Sequence, residues 1–323
     1  MKSKFILQLL LSFILLNCLS NLAQAQWTLT QKIETKGDLN AVYFADSKRG
    51  WVAGDNGYLA TTVDGGNSWT RQTVGTTSSI SDIYFRGTDK GYLLAGNRVF
   101  SSIDGGQNWR EEKILQAETF GKAQPELYSI RFASKKNGWI VGAINQNDSV
   151  VGSLVLHTVD GGSVWRKVRM DTSEELIHLD FVNENNGWIV GANGTIFVTT
   201  DGGENWRKQQ SGTRTTLYHV DFKNESNGWI VGEKGLILMT TDGGAAWQKI
   251  NPNVNKTLLS VEFINDKNGW IIGRDGTALR SDDGGRTWIK QDSQTIDNLF
   301  GLYFDKKVGW AVGGKGVILR YQR

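Results

Sequence analysis

Cysteine is nearly absent from this 323-residue chain: the single one is Cys18, so no disulfide can staple the fold. Histidine is scarce too, with three residues, and no His/Cys spacing typical of a metal site occurs. The sequence also lacks a nucleophile elbow, a phosphate loop and a His-Glu-x-x-His helix, which removes the best-marked hydrolase, nucleotide-binding and zinc-protease classes. After the first 25 residues no apolar run approaches the length of a transmembrane helix. An excess of one charge sign is missing as well. The formal net charge is +3, and Lys2 and Lys4 supply two of those charges. A near-neutral remainder argues against a nucleic-acid binder, which carries a basic field.

What is present begins with Lys2 and Lys4, an apolar run from Phe5 to Leu16 and a small-residue stretch ending Ala23-Gln24-Ala25. This pattern predicts an export leader over residues 1–25, cleaved after Ala25, and a periplasmic or secreted protein over residues 26–323. A competing reading makes Cys18 a lipid-attachment site, although Asn17 stands where a small residue is preferred.

The strongest signal is internal repetition. A Gly-aromatic pair recurs at Gly50-Trp51, Gly91-Tyr92, Gly138-Trp139, Gly187-Trp188, Gly228-Trp229, Gly269-Trp270 and Gly309-Trp310, at intervals of 41, 47, 49, 41, 41 and 40 residues. Between these pairs lies Ser/Thr-x-Asp-Gly-Gly-x-x-Trp, six times, carrying Asp64, Asp104, Asp160, Asp201, Asp242 and Asp283. Each period reads as four short strands, as in Leu217 to Phe222 (taken to alternate), Trp229 to Gly232, Leu236 to Thr240 and Trp247 to Ile250. Four strands per period of about 40 residues predict an all-β, seven-bladed β-propeller as a single domain. The last blade stops at its third strand, near Tyr321, and Trp27-Thr28 resembles Trp69-Thr70. The amino-terminal strand is therefore expected to complete blade seven and close the ring. The six aspartates are read as fold-forming, accepting hydrogen bonds from turn amides while the glycines take angles closed to other residues. The tryptophan of each box is expected to pack under its turn or on the next blade.

The Asp-Gly-Gly unit resembles the Asp-box, or bacterial neuraminidase repeat, of sialidases and other propellers. The joint pattern, with Gly-Trp-x-x-Gly before each box, resembles the photosystem II stability/assembly factor family across the whole mature chain. That resemblance implies an exported, non-enzymatic scaffold that binds a protein client, such as a membrane-protein assembly intermediate, through an arginine-rich surface. It implies no cofactor, and a monomer is expected. The alternative is an Asp-box glycoside hydrolase of sialidase type, or a carbohydrate-binding propeller.

Loops between blades and between second and third strands share one face, and binding residues are expected there. Arg214, Lys234, Arg274 and Lys315 form a candidate cationic arc, interrupted by Glu233 and Asp275. Two longer stretches flank blade three: the connector Arg110 to Leu127 with Phe120, and the loop Gly142 to Gly152 with Asn147 and Asp148. They read as a raised lobe, either a partner site or a tolerated insertion. Aligning the inner strands puts Ala41, Asp82, Ser129, His178, His219, Ser260 and Gly301 on the channel, with Val42 and Phe44 in the core. Two residues further on lies a ring of Tyr43, Tyr84, Arg131, Asp180, Asp221, Glu262 and Tyr303. Neighbouring carboxylates there suit a glycosidase in principle. A sialidase, however, needs clustered arginines and its Phe/Tyr-Arg-Ile-Pro signature, and both are missing. His178 and His219 sit on adjacent blades, but without a third ligand no metal site is expected.

Overall fold

The computed structural model describes residues 26–115, 117–305 and 308–322; the expected leader and Cys18 lie outside them. Seven four-stranded antiparallel sheets stand around a central channel. Blade seven combines Leu299–Phe304, Val308–Gly313 and Val317–Gln322 with Gln26–Lys32. Trp27 pairs with Tyr321, and Ile33 N–H extends the ladder to Gly316 O at 2.9 Å. No helix among the described residues is long and apolar enough to cross a membrane.

The inner strands do not simply alternate. In blade five Leu217 pairs with Gly232 and His219 with Val231, so Tyr218 is an extra residue, a β-bulge. The same skip falls at Asn40, Ser81, Tyr128, Ile177, Leu259 and Phe300. Its cause is visible in the apolar spacing: Leu39, Val42 and Phe44, at i, i+3 and i+5, all enter one cluster with Trp310 and Val312 of blade seven. A plain strand places only i, i+2 and i+4 on one face, so one residue must be looped out.

Blade-to-blade packing is an aromatic lock repeated around the ring. Each Gly-aromatic ring stacks on the phenylalanine ending the next inner strand, for example Trp51 on Phe85 at 4.0 Å and Trp229 on Phe263 at 3.5 Å. The box tryptophan meets the phenylalanine of its own blade edge-on, as Trp69 does Phe44 at 6.0 Å and 77°. It packs within its blade and also reaches the previous one, Trp69 lying 6.3 Å from Trp310 and Trp206 5.5 Å from Trp139. Trp27 meets Phe304 at 5.7 Å and 78°, the same geometry from the far end of the chain.

The Asp-Gly-Gly turn ties these parts together. Thr62 Oγ1 donates to Asp64 Oδ1 at 2.7 Å and accepts the Gly66 N–H at 2.8 Å, while the Ser68 N–H reaches Asp64 Oδ1 at 2.9 Å. Hydrogen bonds from Ser68 and then Thr62 hold the Asp64 carboxyl down at about 2. The first glycine anchors the turn to the loop between strands one and two, Gly65 N–H to Lys48 O at 2.9 Å. The second lies against the previous blade's ring: at Gly203, φ +90°, a Cβ would come within 2.1 Å of Trp139. Gly203→Ala should therefore destabilise by about 2 kcal/mol. Gly212→Ala, also at positive φ but in open space, should cost only about 1 kcal/mol. Urea unfolding of the pair separates crowding from backbone strain.

On the opposite face the strand two–three turns bond the connectors, as Asp55 N–H does Asp38 O at 2.9 Å. There the lobe of blade three rises as sheet. Gly142 to Gly152 is not a loop but the middle of a hairpin, Gly138–Gln146 and Ser149–Thr158, turning at Asn147 and Asp148 with φ of 50° and 58°. Two adjacent left-handed residues match the strand twist, and Asn and Asp tolerate them. Gln124–Phe132 adds to it through Gln124↔Asn145 and Pro125↔Ile144, so both expansions form one lobe.

Candidate functional site: the channel and its loop-face mouth

The channel is a cavity of about 690 Å³ walled by inner-strand residues, and its two sides differ. Tyr43 lies 5.6 Å from Tyr303 and 6.2 Å from Tyr84, giving an aromatic side across blades seven, one and two. Burial, followed by the neighbouring Tyr84, pushes the Tyr43 hydroxyl up to about 12. The other side is ionic. Arg131 pairs with Asp82 at 2.7 Å and donates to His178 Nε2 at 3.1 Å, and Lys223 pairs with Asp221 at 3.0 Å.

Most of these groups staple one blade to the next. Asp82 Oδ2 accepts the Ile130 N–H at 3.0 Å, Asp180 Oδ2 the Phe222 N–H at 2.8 Å and Asp221 Oδ2 the Phe263 N–H at 2.8 Å. Across the channel Tyr43 donates to Phe85 O at 3.0 Å. A carboxylate in either ring serves the bulge-shifted backbone of its neighbour, whose amide faces the channel.

Glu262 is the exception, making no hydrogen bond among the described residues. Burial raises the Glu262 and Asp221 carboxyls well above the usual range; Lys223 opposes the rise, and carboxylate repulsion adds to it. Lys223 pays the same burial penalty in the other direction, yet Asp221 and Glu262 keep it protonated. The His178 and His219 rings stack at 3.7 Å, both held neutral first by burial, His219 down to about 3. Among the described residues no cluster of three His, Cys, Asp or Glu converges as a metal site. His157 lies elsewhere, stacked on Trp139 at 3.8 Å.

At the loop-face end the bulge residues turn into the channel mouth. Tyr128, Ile177, Tyr218 and Phe300 line it with Asn40 and Ser81. Tyr128 donates to Glu126 at 3.1 Å and Tyr218 to Glu233 at 3.4 Å, and Glu175 lines the same wall.

Residues 67–173, 163–255 and 252–322 match, as three stretches, the family described as photosynthesis system II assembly factor YCF48. The chain belongs to the YCF48 family. Solved structures agree in fold: a YCF48 bound to D1 peptide is 20% identical with a TM-score of 0.74, covering 94% of this chain and 96% of its own. YCF48 from Cyanidioschyzon merolae gives 20% and 0.74, over 92% and 99%. A virginiamycin B lyase from Staphylococcus aureus reaches the same TM-score of 0.74 at 13% identity, over 93% and 99%, so the fold alone does not name an activity. No protein of curated function matches the chain in sequence.

Within this YCF48-family propeller the candidate residues are unevenly placed. Arg214, Lys234 and Arg274 are exposed on the loop face without an ion-pair partner among the described residues. Lys315 is not free: it pairs with Asp297 at 2.8 Å, and its backbone N–H bonds Asp38 at 3.0 Å. Asp275 is taken by Lys256 at 2.5 Å, which leaves Arg274 uncompensated. Phe120 does not stand out into solvent but packs on the blade-three core with the Lys167 ammonium 5.4 Å above its ring, whereas Asn147 and Asp148 are exposed at the hairpin tip. Asp82, His178, His219 and Ser260 line the channel; Ser129 does not, being 1% exposed with its hydroxyl unpartnered. The six box aspartates lie on the other face, each bonded within its own turn. The mouth aromatics Tyr128, Tyr218 and Phe300 escape an alignment that assumes alternation; the i, i+3, i+5 spacing was the signal for them.

Proposed function

We propose that this protein is an exported, non-enzymatic scaffold that binds an extended segment of a protein client at the loop-face mouth of its channel. The observation that carries the proposal is the mouth itself. Bulge residues Tyr128, Ile177, Tyr218 and Phe300 offer apolar contact, and the uncompensated Arg214, Lys234 and Arg274 stand on the blade-five and blade-six side. Aromatic anchors beside cations suit a peptide with a carboxylate, because Arg meets a carboxylate with two parallel donors. Family membership supports the same reading, since a YCF48 structure is described as bound to D1 peptide. A membrane-protein assembly intermediate is accordingly the proposed client.

Catalysis is the weaker use of the channel. Asp180 and Asp221, two of the neighbouring carboxylates a glycosidase would need, are occupied by the Phe222 and Phe263 amides. The test is a titration of labelled D1 peptide into the mature chain at two salt concentrations. Binding should be saturable and salt-sensitive, and should weaken by about tenfold or more in the Arg214→Glu, Lys234→Glu, Arg274→Glu triple variant. Lys315→Glu should have little effect, since Asp297 already neutralises that cation. Peptide affinity unmoved by the triple variant would remove the mouth as the site. Release of sugar from aryl-glycosides that stops in Asp180→Asn would replace the scaffold with a hydrolase.

A further inference from the structure

The outer side of blade three carries a strand edge that its own chain does not cover. Ser149–Thr158 is ten residues long, but its outer neighbour Arg166–Lys167 is two, pairing only at Leu156 and His157. Val168 N–H continues to Val155 O at 2.8 Å, and Ser153 Oγ then reaches Thr172 O at 3.0 Å. Beyond that point Ser149, Val150, Val151 and Gly152 have no main-chain partner on the outer side among the described residues. Val150 and Val151 are 41% and 50% exposed. Sheet proteins blunt such an edge with lysine, proline, a covering loop or a β-bulge; this Ser-Val-Val-Gly stretch has no lysine or proline, and its one irregularity is the skip at Val151, between Gly152↔Ile144 and Val150↔Asn145.

One hollow adjoins the edge, and a second lies further along the same strand at Leu156. The first, of about 720 Å³, is walled by Ile144, Val151, Val168 and Met170. The other, about 360 Å³, opens between Leu115, Phe120, Leu156 and Trp165. Lys167 borders both, with Lys113 on the second and Arg169 on the first; Asp171 is the sole acid lining either. Lys113, Lys167 and Arg169 are exposed and make no ion pair among the described residues. Unpaired donors and acceptors, an apolar trough and unopposed cations therefore coincide.

We propose that this edge is a docking site, separate from the channel mouth, for an extended acidic peptide that adds as a strand alongside Ser149–Gly152. Its main chain completes the ladder where Arg166–Lys167 stops, alternate apolar side chains enter the trough at Ile144, Val151 and Met170, and its carboxylates meet Lys167 and Arg169. Strand addition takes affinity from backbone bonds and selectivity from alternate side chains, which is what the edge and trough each supply. Charge decides the occupant. A second copy pairing through the same edge would set Lys167 and Arg169 against their own counterparts, whereas an acidic strand neutralises them.

The probe is a fluorescein-labelled Asp-Val-Asp-Val-Asp-Val peptide titrated into the mature chain and followed by anisotropy. Binding should saturate and weaken by about tenfold or more in Lys167→Glu, Arg169→Glu. In a strand only every second N–H faces the neighbour, so N-methylation of one alternate set of amides should abolish binding and of the other set should spare it. The Arg214, Lys234, Arg274 variant should bind this probe normally, which keeps the outcome independent of the mouth. Equal binding of both methylated peptides would overturn strand addition, and an unchanged affinity in the charge-reversed variant would overturn the acidic partner. A dimer in sedimentation that Val151→Lys disperses would assign the edge to a second copy instead.

Discussion

Trp27→Ala should destabilise the protein by about 3–5 kcal/mol in urea unfolding, as removal of a fully buried tryptophan does. Trp27 is 1% exposed, packed edge-on to Phe304 and at 5.3 Å from Tyr321. Its loss opens a cavity, but the larger consequence is topological. Gln26–Lys32 is held to Val317–Gln322 by one ladder from Gln26↔Gln322 to Lys32↔Val317, and Trp27 is its one fully buried side chain. Weakening that ladder bares the Val317–Gln322 edge, so the variant should also aggregate at concentrations where Trp69→Ala does not. Trp69 occupies the same place in blade one, is only half-buried, and closes nothing; its replacement should cost clearly less. Equal costs for the two would mean that ring closure adds nothing beyond local packing.

The same tryptophan shows how far the sequence is legible. Seven Gly-aromatic pairs and six boxes leave one indole unaccounted for, and counting alone assigns Trp27 to blade seven because packing repeats residue by residue in a propeller. The lock between Gly-Trp rings and the following phenylalanines is equally periodic, and both partners stand in the sequence. What escaped was direction rather than identity. A bulge changes which way a residue points without changing composition, so the assumed alternation hid Tyr128, Tyr218 and Phe300. Pairing of surface charges was hidden for another reason. Lys315 meets Asp297 across eighteen residues, because the connector and the turn share a face, and no local spacing encodes that contact. The unfinished edge at Ser149–Gly152 likewise depends on where the outer strand stops, which is a matter of pairing length rather than residue type.

Glu262 makes the channel a pH-dependent element of stability. Its folded pKa is raised, to about 8, chiefly by burial, while in the unfolded chain it returns to about 4.3. The folded state therefore binds the proton more tightly, stability is greatest where the carboxyl is protonated in both states, and it falls as pH rises from about 4 towards 8. Glu262→Gln keeps the shape and removes the ionisation. Between pH 5 and pH 8 the variant should gain about 3–4 kcal/mol of stability on the parent. Asp221→Asn provides the contrast. Asp221 is also raised by burial, but it accepts the Phe263 N–H and pairs with Lys223, so the substitution leaves a buried ammonium without its counter-charge and should destabilise. Urea midpoints of the three proteins at pH 5 and pH 8 decide the matter. A Glu262→Gln protein weaker than the parent at pH 8 would show that Lys223 serves both carboxylates, and that the aromatic side of the channel faces a satisfied ionic cluster instead of a strained one.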